Sequence, residues 1–150
     1  MLKLSRLTDY AVAALVRLSQ ADCVETSPGI AAAVGIPEPT VAKVLKALAQ
    51  QGLVCSTRGA RGGYRLSRPL SQIAVSEVIV AIDGPIALTS CVEGGGGGCE
   101  SQMLCPVAGR WEPVNDAIRA ALAGISLADM AQAALPPGLR LPGLSLNEVA

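Results

Sequence analysis

The stretch PTVAKVLKALAQQGLVCSTRGARGGYRLS, residues 39–67, constrains the fold more than any other, because its apolar periodicity changes once, at a glycine. Before Gly52, the residues Val41, Val44, Leu45 and Leu48 stand at i, i+3, i+4 and i+7, the repeat of a helix that buries one face. At about 100° per residue the opposite face collects Pro39, Lys43, Lys46 and Gln50. Gly52 stands where a glycine ends a helix, and LVCST and YRLS follow as short strand candidates separated by RGARGG. The loop's glycines permit the positive φ that a tight hairpin needs. Arg58 and Arg61 fall at its tip, with Arg65 just beyond.

Upstream, Leu7, Ala11, Ala14, Leu15 and Leu18 predict a helix over residues 5–20. Ser27-Pro28 reads as an N-cap followed by a first-turn proline, opening a short helix that Gly35 closes. GIPEP joins this helix to the striped one, so the pair reads as a helix-turn-helix and the hairpin after it as a wing. Arginines at a wing tip suit phosphates or the minor groove, although a merely soluble hairpin would carry them too. The composition agrees with a helical body: the chain is 51% apolar but has no Phe, one Trp and two Tyr, so its core is aliphatic. The formal net charge of zero conceals a division, since residues 1–70 carry nine Lys and Arg against four acids and the remainder three against eight. A basic first half suits a polyanionic partner, as it would suit an ordinary solvated surface.

Downstream, Val75, Val78, Ile79 and Ile82 predict a helix ended by Asp83-Gly84-Pro85. Trp111, Val114, Ile118 and Leu122 form a near-heptad apolar stripe on a helix of residues 107–123, able to bury against its own domain or a partner helix. Pro113 disfavours that helix's interior, so the helix is expected to start late or kink there. Residues 133–150, interrupted by Pro and Gly, read as a flexible tail. The early apolar run YAVAALV is too short to span a bilayer and is flanked by Asp9 and Arg17. A cytoplasmic protein without membrane partner is expected, and there clustered cysteines point to metal or redox chemistry.

Between those helices lies CVEGGGGGCESQMLCPV, in which Cys91, Cys99 and Cys105 follow the pattern C-x7-C-x5-C. This is neither the paired C-x2-C of zinc ribbons nor plant-type ferredoxin spacing. Wide spacing on a glycine-rich segment lets the backbone wrap something larger than one ion. An iron–sulfur cluster fits that description, with a disulfide, structural zinc and loss of ligation as the alternatives. Cys23 and Cys55 read as small, buried or half-buried residues of the first half. With no histidine for acid–base work and no nucleophile motif, neither an enzyme nor a small-molecule substrate is expected.

The order of LTDYAV, PTVAKVLKALAQQGLV, RGARGGYRL, VSEVIVAIDGP, three cysteines and a final striped helix resembles the IscR/NsrR group of winged-helix regulators, the Rrf-two family. The likeness runs over residues 1–132, and is strongest to the branch that regulates SUF-type iron–sulfur cluster assembly. The resemblance implies a mainly α fold with a small β-hairpin wing. It divides the chain into a winged helix-turn-helix domain over residues 1–70 and a cluster-binding loop with dimerisation helices over 71–132. A long C-terminal helix, with Trp111, Val114, Ile118 and Leu122 at the interface, would make a homodimer on a palindromic double-stranded operator. Thr40 and Lys43 would lie at the major groove, Lys46 nearer the backbone and Arg58 in the minor groove, with Arg61, Gly62, Gly63 and Tyr64 completing the wing's contacts. Pro39 and Ala42 depart from relatives that carry a hydrophilic side chain and a base-reading acid there, so the target sequence does not transfer.

The resemblance also implies that Cys91, Cys99 and Cys105 hold a cluster, of the 2Fe-2S type, and that the protein represses cluster-assembly genes according to cluster status. A nitric-oxide or redox sensor is the alternative within the family, and a cluster carrier or electron-transfer protein the alternative outside it. For a fourth ligand, some relatives place a histidine where this chain has Ala108, whereas Asp9 matches an acidic ligand donated by the opposite subunit in the nitric-oxide-sensing branch. Glu93, Glu100 or a water would serve otherwise, and an aspartate in a helix's first turns is also explained by the helix dipole.

Overall fold

The computed structural model describes residues 3–101 and 103–132; the expected tail, residues 133–150, lies outside them. Among the described residues six α-helices and one hairpin follow in the order α1 (Arg6–Ser19), α2 (Ser27–Val34), α3 (Glu38–Gln50), β1 (Val54–Thr57), β2 (Gly63–Leu66), α4 (Val75–Asp83), α5 (Glu112–Ala123) and α6 (Leu127–Ala131), with a single 3-10 turn, Leu70–Gln72, between β2 and α4. The fold is mainly helical with a two-stranded antiparallel wing.

Capping chemistry sets the first three helices. Ser5 caps α1, its Oγ accepting from the Thr8 amide at 3.3 Å. The cap of α2 falls one residue earlier than the Ser27-Pro28 reading, at Thr26, whose Oγ1 accepts from the Gly29 amide at 3.2 Å; Ser27 and Pro28 are already helical. A cap of this kind stabilises its helix by about 1 kcal/mol. Gly35 ends α2 at φ 68°, a left-handed conformation that a Cβ would strain. At the end of α3 the Gly52 amide donates to the Ala49 carbonyl at 3.1 Å and the Leu53 amide to the Leu48 carbonyl at 2.9 Å, the paired bonds of a Schellman motif. That motif turns the chain straight into β1.

The hairpin register pairs Val54 with Leu66, Cys55 with Arg65, Ser56 with Tyr64 and Thr57 with Gly63. A separate bridge ties the wing to the segment before α2, the Tyr64 amide donating to the Glu25 carbonyl at 2.7 Å and the Glu25 amide to the Tyr64 carbonyl at 3.0 Å.

The core is aliphatic and continuous across residue 70. Ala11, Leu15, Ile30, Leu45, Leu48, Leu53, Ile73, Val78 and Leu127 are all buried within one cluster. Each fully buried Leu, Ile or Val contributes about 1.5–3 kcal/mol relative to exposure. Helix α6, which the sequence pattern did not signal, enters this core because Ser126 and Asp129 cap it reciprocally and the backbone on either side pairs with the strand-like segment before α4. The Val75 amide donates to the Ile125 carbonyl and the Leu127 amide to the Ile73 carbonyl, each at 2.9 Å.

The striped helix is shorter than expected. Residues 107–111 form turns, and α5 begins at Glu112 with Pro113 in its first turn, where a missing amide costs nothing. Its 12 residues span about 18 Å. Trp111 stands at the cap position rather than inside the helix.

Candidate nucleic-acid interface and cysteine segment

Because α3 buries Val41, Val44, Leu45 and Leu48, its opposite face must look outward. Lys43 and Lys46 are exposed there with Pro39 and Gln50, and Thr40 is half-buried at the edge. The wing projects from the end of the same helix, and Arg58 and Arg61 at its tip are exposed. Ion pairs among the described residues occupy Arg17 with Glu25 at 2.5 Å, Arg68 with Glu77, and Arg119 with Glu93 at 3.6 Å. None involves Lys43, Lys46, Arg58 or Arg61, so these cations stand without a carboxylate partner among the described residues.

Gly62, Gly63 and Tyr64 hold the wing's shape instead of presenting side chains. A Cβ on Gly62 would collide with the Thr57 carbonyl oxygen, and one on Gly63 with the Glu25 carbonyl. The Gly62 amide is already committed to the Gly59 carbonyl at 2.9 Å and the Tyr64 amide to Glu25. The Tyr64 side chain is half-buried and packs against the core. Each of these three has a structural role in the wing, whatever further contact it makes.

Among its described residues the cysteine segment, residues 84–111, has no helix or strand. Cys91, Cys99 and Cys105 are half-buried and free, whereas Cys23 and Cys55 are free and exposed, contrary to the expected burial of the last two. The Cys91 Sγ lies 3.2 Å from the Thr89 Oγ1. Among the described residues no three Cys, Asp or Glu side chains approach closely enough to hold one metal ion. The donor chemistry suits an iron–sulfur cluster, three thiols and no competing imidazole, but in the single chain the thiols are spread along the segment. Asp9 is exposed on α1 and belongs to no such group either.

The segment is nevertheless anchored at its start, by residues the sequence reading did not single out. Asn115 is fully buried; its Oδ1 accepts from the Leu88 amide at 3.0 Å and its Nδ2 donates to the Ile86 carbonyl at 3.2 Å. One turn earlier the Glu112 carboxylate accepts from the Glu93 amide at 3.2 Å. The sole sequence signal for Asn115 is its position at the border of the α5 stripe. At the other end of α4, the Asp83 Oδ2 accepts from the Thr8 hydroxyl at 2.7 Å and from the Ser5 amide at 3.3 Å, tying α4 to the start of α1. Burial alone would raise the Asp83 pKa, but these hydrogen bonds outweigh it and hold the carboxyl below its ordinary value.

The α5 stripe is divided. Trp111 and Val114 are 42% and 45% exposed, and Ile118 is half-buried, while Leu122 packs against the core. Met103 and Leu104, just before α5, are exposed too. No helix among the described residues is long and apolar enough to cross a membrane.

A family model for iron-dependent transcriptional regulators, Rrf2, matches residues 4–133. A Mycobacterium tuberculosis protein named as an HTH-type transcriptional regulator is 35% identical over 137 residues, 90% of this chain and 84% of its own length. The HTH-type transcriptional regulator IscR of Escherichia coli is 35% identical over 96 residues, 64% of this chain and 58% of its own length. Among solved structures, CymR, the global cysteine regulator of B. subtilis, superposes with a TM-score of 0.65 at 26% identity, covering 87% of this chain and 97% of CymR. IscR of T. potens superposes with a TM-score of 0.60 at 30% identity, covering 86% and 85%.

Proposed function

The chain belongs to the Rrf2 family of transcriptional regulators, and from that premise we propose that it is a cytoplasmic, homodimeric repressor of iron–sulfur cluster assembly genes of the SUF type. Its operator affinity responds to an iron–sulfur cluster of the 2Fe-2S type held by Cys91, Cys99 and Cys105. It is a regulator and not an enzyme. The observation that carries the reading is the set of exposed cations without carboxylate partners, Lys43 and Lys46 on α3 and Arg58 and Arg61 on the adjoining wing.

On this reading α3 enters the major groove, Thr40 and Lys43 nearest the bases and Lys46 at the phosphates, while Arg58 reaches the minor groove and Arg61 the backbone beside it. Lysine and threonine cannot make the bidentate fork that arginine makes to guanine, so the operator is read partly through its shape. The exposed part of the α5 stripe is covered by a second copy, which places two winged helices about a two-fold axis and makes the operator palindromic.

When bound, the cluster supplies iron centres whose redox state and retention report oxidant and iron supply. The chain's own part is to converge three thiolates by ordering the glycine-rich segment, with a fourth ligand from Asp9 of the opposite subunit. Resemblance to the IscR/NsrR group, the IscR relatives and the thiol donor set support this part of the reading.

The test is a gel-shift series across ionic strength on the promoter of the chain's own gene and on cluster-assembly promoters. Specific binding that weakens steeply with salt is expected; Arg61→Ala or Lys46→Ala should each reduce the salt slope by about 1, as one phosphate contact is lost, and Arg58→Ala should weaken operator binding while leaving dimerisation and cluster absorbance intact. Cluster binding without any salt-sensitive duplex affinity would make the protein a carrier or electron-transfer protein instead.

A further inference from the structure

Helix α5 carries two functional faces. At about 100° per residue, Val114, Ile118 and Leu122 lie within 80° of one another, and Glu112, Asn115 and Arg119 form a second row about a quarter turn away. Each member of the second row touches the segment that leads into the cysteines. Asn115 holds the backbone of Ile86 and Leu88, Glu112 holds the Glu93 amide, and Arg119 pairs with the Glu93 carboxylate at 3.6 Å. Cys91 lies between the Leu88 and Glu93 attachment points.

Apart from this row, α5 is held by Leu122, which packs against the core. Asn115 is its one fully buried side chain, and a cleft of about 570 Å³ lined in part by Val80, Ile86, Arg119 and Ala123 lies against α4 and α5. The Asn115 side chain is itself fully buried with both its oxygen and its nitrogen satisfied, by the backbone of half-buried residues. Removing these two atoms strands the Leu88 amide and the Ile86 carbonyl, which costs more than the bonds themselves contribute.

We propose that Asn115 is a positioning residue that fastens the first cysteine's segment to α5, so that order in the segment and the orientation of the α5 stripe change together. This rests on the reading of the cysteines and the stripe given above. It adds to that reading a physical link between the two: when the segment is drawn in to converge its thiolates, the pull reaches α5 through Asn115 and Glu112. The relative orientation of two winged helices then follows.

The test separates the clamp from the reading it rests on. In the metal-free protein, alkylation of each cysteine by a maleimide is followed by mass spectrometry, with hydrogen exchange at the Leu88 amide. Asn115→Leu, which keeps the branching and the number of side-chain heavy atoms and removes both bonds, should raise Cys91 alkylation and Leu88 exchange on the order of tenfold while Cys23 and Cys55 stay unchanged. Glu112→Ala, at a position less buried than Asn115, should give the same selectivity with a smaller rise. In cluster-loaded protein, Asn115→Leu should also shrink the difference in operator affinity between loaded and metal-free forms without altering the metal-free affinity.

Unchanged Cys91 alkylation in both variants would overturn the proposal. So would an equal rise at all five cysteines, which would make Asn115 a general packing residue. If the wild-type protein shows no affinity difference between loaded and metal-free forms, the functional reading fails, and the alkylation and exchange measurements still judge the clamp.

Discussion

At the scale of single residues, several positions are fixed by what their neighbours leave room for. Gly62 sits where a Cβ would meet the Thr57 carbonyl within the turn of the wing, so Gly62→Ala must move backbone rather than a flexible side chain. Its expected outcome is a loss of about 1–3 kcal/mol in thermal or denaturant unfolding, together with weaker duplex binding. Asp83 is a milder case. Its carboxylate accepts from the buried Thr8 hydroxyl and from the Ser5 amide, but it is itself exposed, so solvent screening discounts the charge. Asp83→Ala should cost about 1 kcal/mol at pH 7. The folded-state pKa is depressed, so the unfolded chain takes up the proton more readily and the contribution is complete above the unfolded carboxyl value, about 3.9. It is lost as the pH falls through the lower folded value. Urea titrations at pH 7 and pH 2.5 check the sign: the gap between wild type and variant should narrow in acid.

At the scale of elements, α5 shows that one apolar stripe can serve two masters. Leu122 packs on the core, whereas Val114 lies 45% exposed beside the exposed Trp111. Leu122→Ala should therefore lower unfolding stability, by about 1–2 kcal/mol for a half-buried side chain. Val114→Ala should leave stability within about 0.5 kcal/mol while weakening self-association, read by sedimentation equilibrium. If both variants acted on stability alone, the upper stripe would not be an interface.

The same element marks how far the sequence was legible. The stripe of α3, the glycine at its end and the hairpin after it were readable because each obeys a local rule: helical period, left-handed glycine, turn chemistry. The cap of α2 was misplaced by one residue because Thr26 and Ser27 are equally good caps, and only the backbone at Thr26, extended at ψ 154°, decides. Helix α5 was drawn too long because an apolar stripe does not show where hydrogen bonding begins; Pro113 was the better guide, and it marks the first turn. Asn115 and α6 were barely legible, the first from its place at the border of the α5 stripe and the second from the Ser126 and Asp129 spacing alone. Their importance lies in contacts to Ile86, Leu88 and Ile73, far away in the sequence, and no local period encodes such a partner.

At the scale of the whole molecule, the chain is built asymmetrically, with a surplus of five positive charges in residues 1–70 and of five negative charges beyond. The neutral total keeps the long-range field small, so binding to duplex depends on how the two halves are presented rather than on net charge. On the proposed reading, completion of the cysteine site is also a property of the assembly. Among the described residues of one subunit Asp9 joins no group able to hold a metal ion, and α1 is fastened at its start to Asp83 through Thr8 and Ser5, which restricts its freedom to move toward the thiols. The proposed alternative is donation from the second subunit. The two arrangements are separated by mixing two defective chains, one carrying Asp9→Ala and the other Cys91→Ala. If Asp9 acts across the dimer, a mixed dimer joins intact cysteines of the first chain to the intact Asp9 of the second, and one of its two sites is whole. If Asp9 acts within its own subunit, both sites stay defective. Co-expressed and purified through two different tags, the mixed dimer should hold up to half the wild-type cluster absorbance with wild-type lifetime in air, while each variant alone does not. A mixed dimer no better than its two parents would remove Asp9 from the opposite subunit's site.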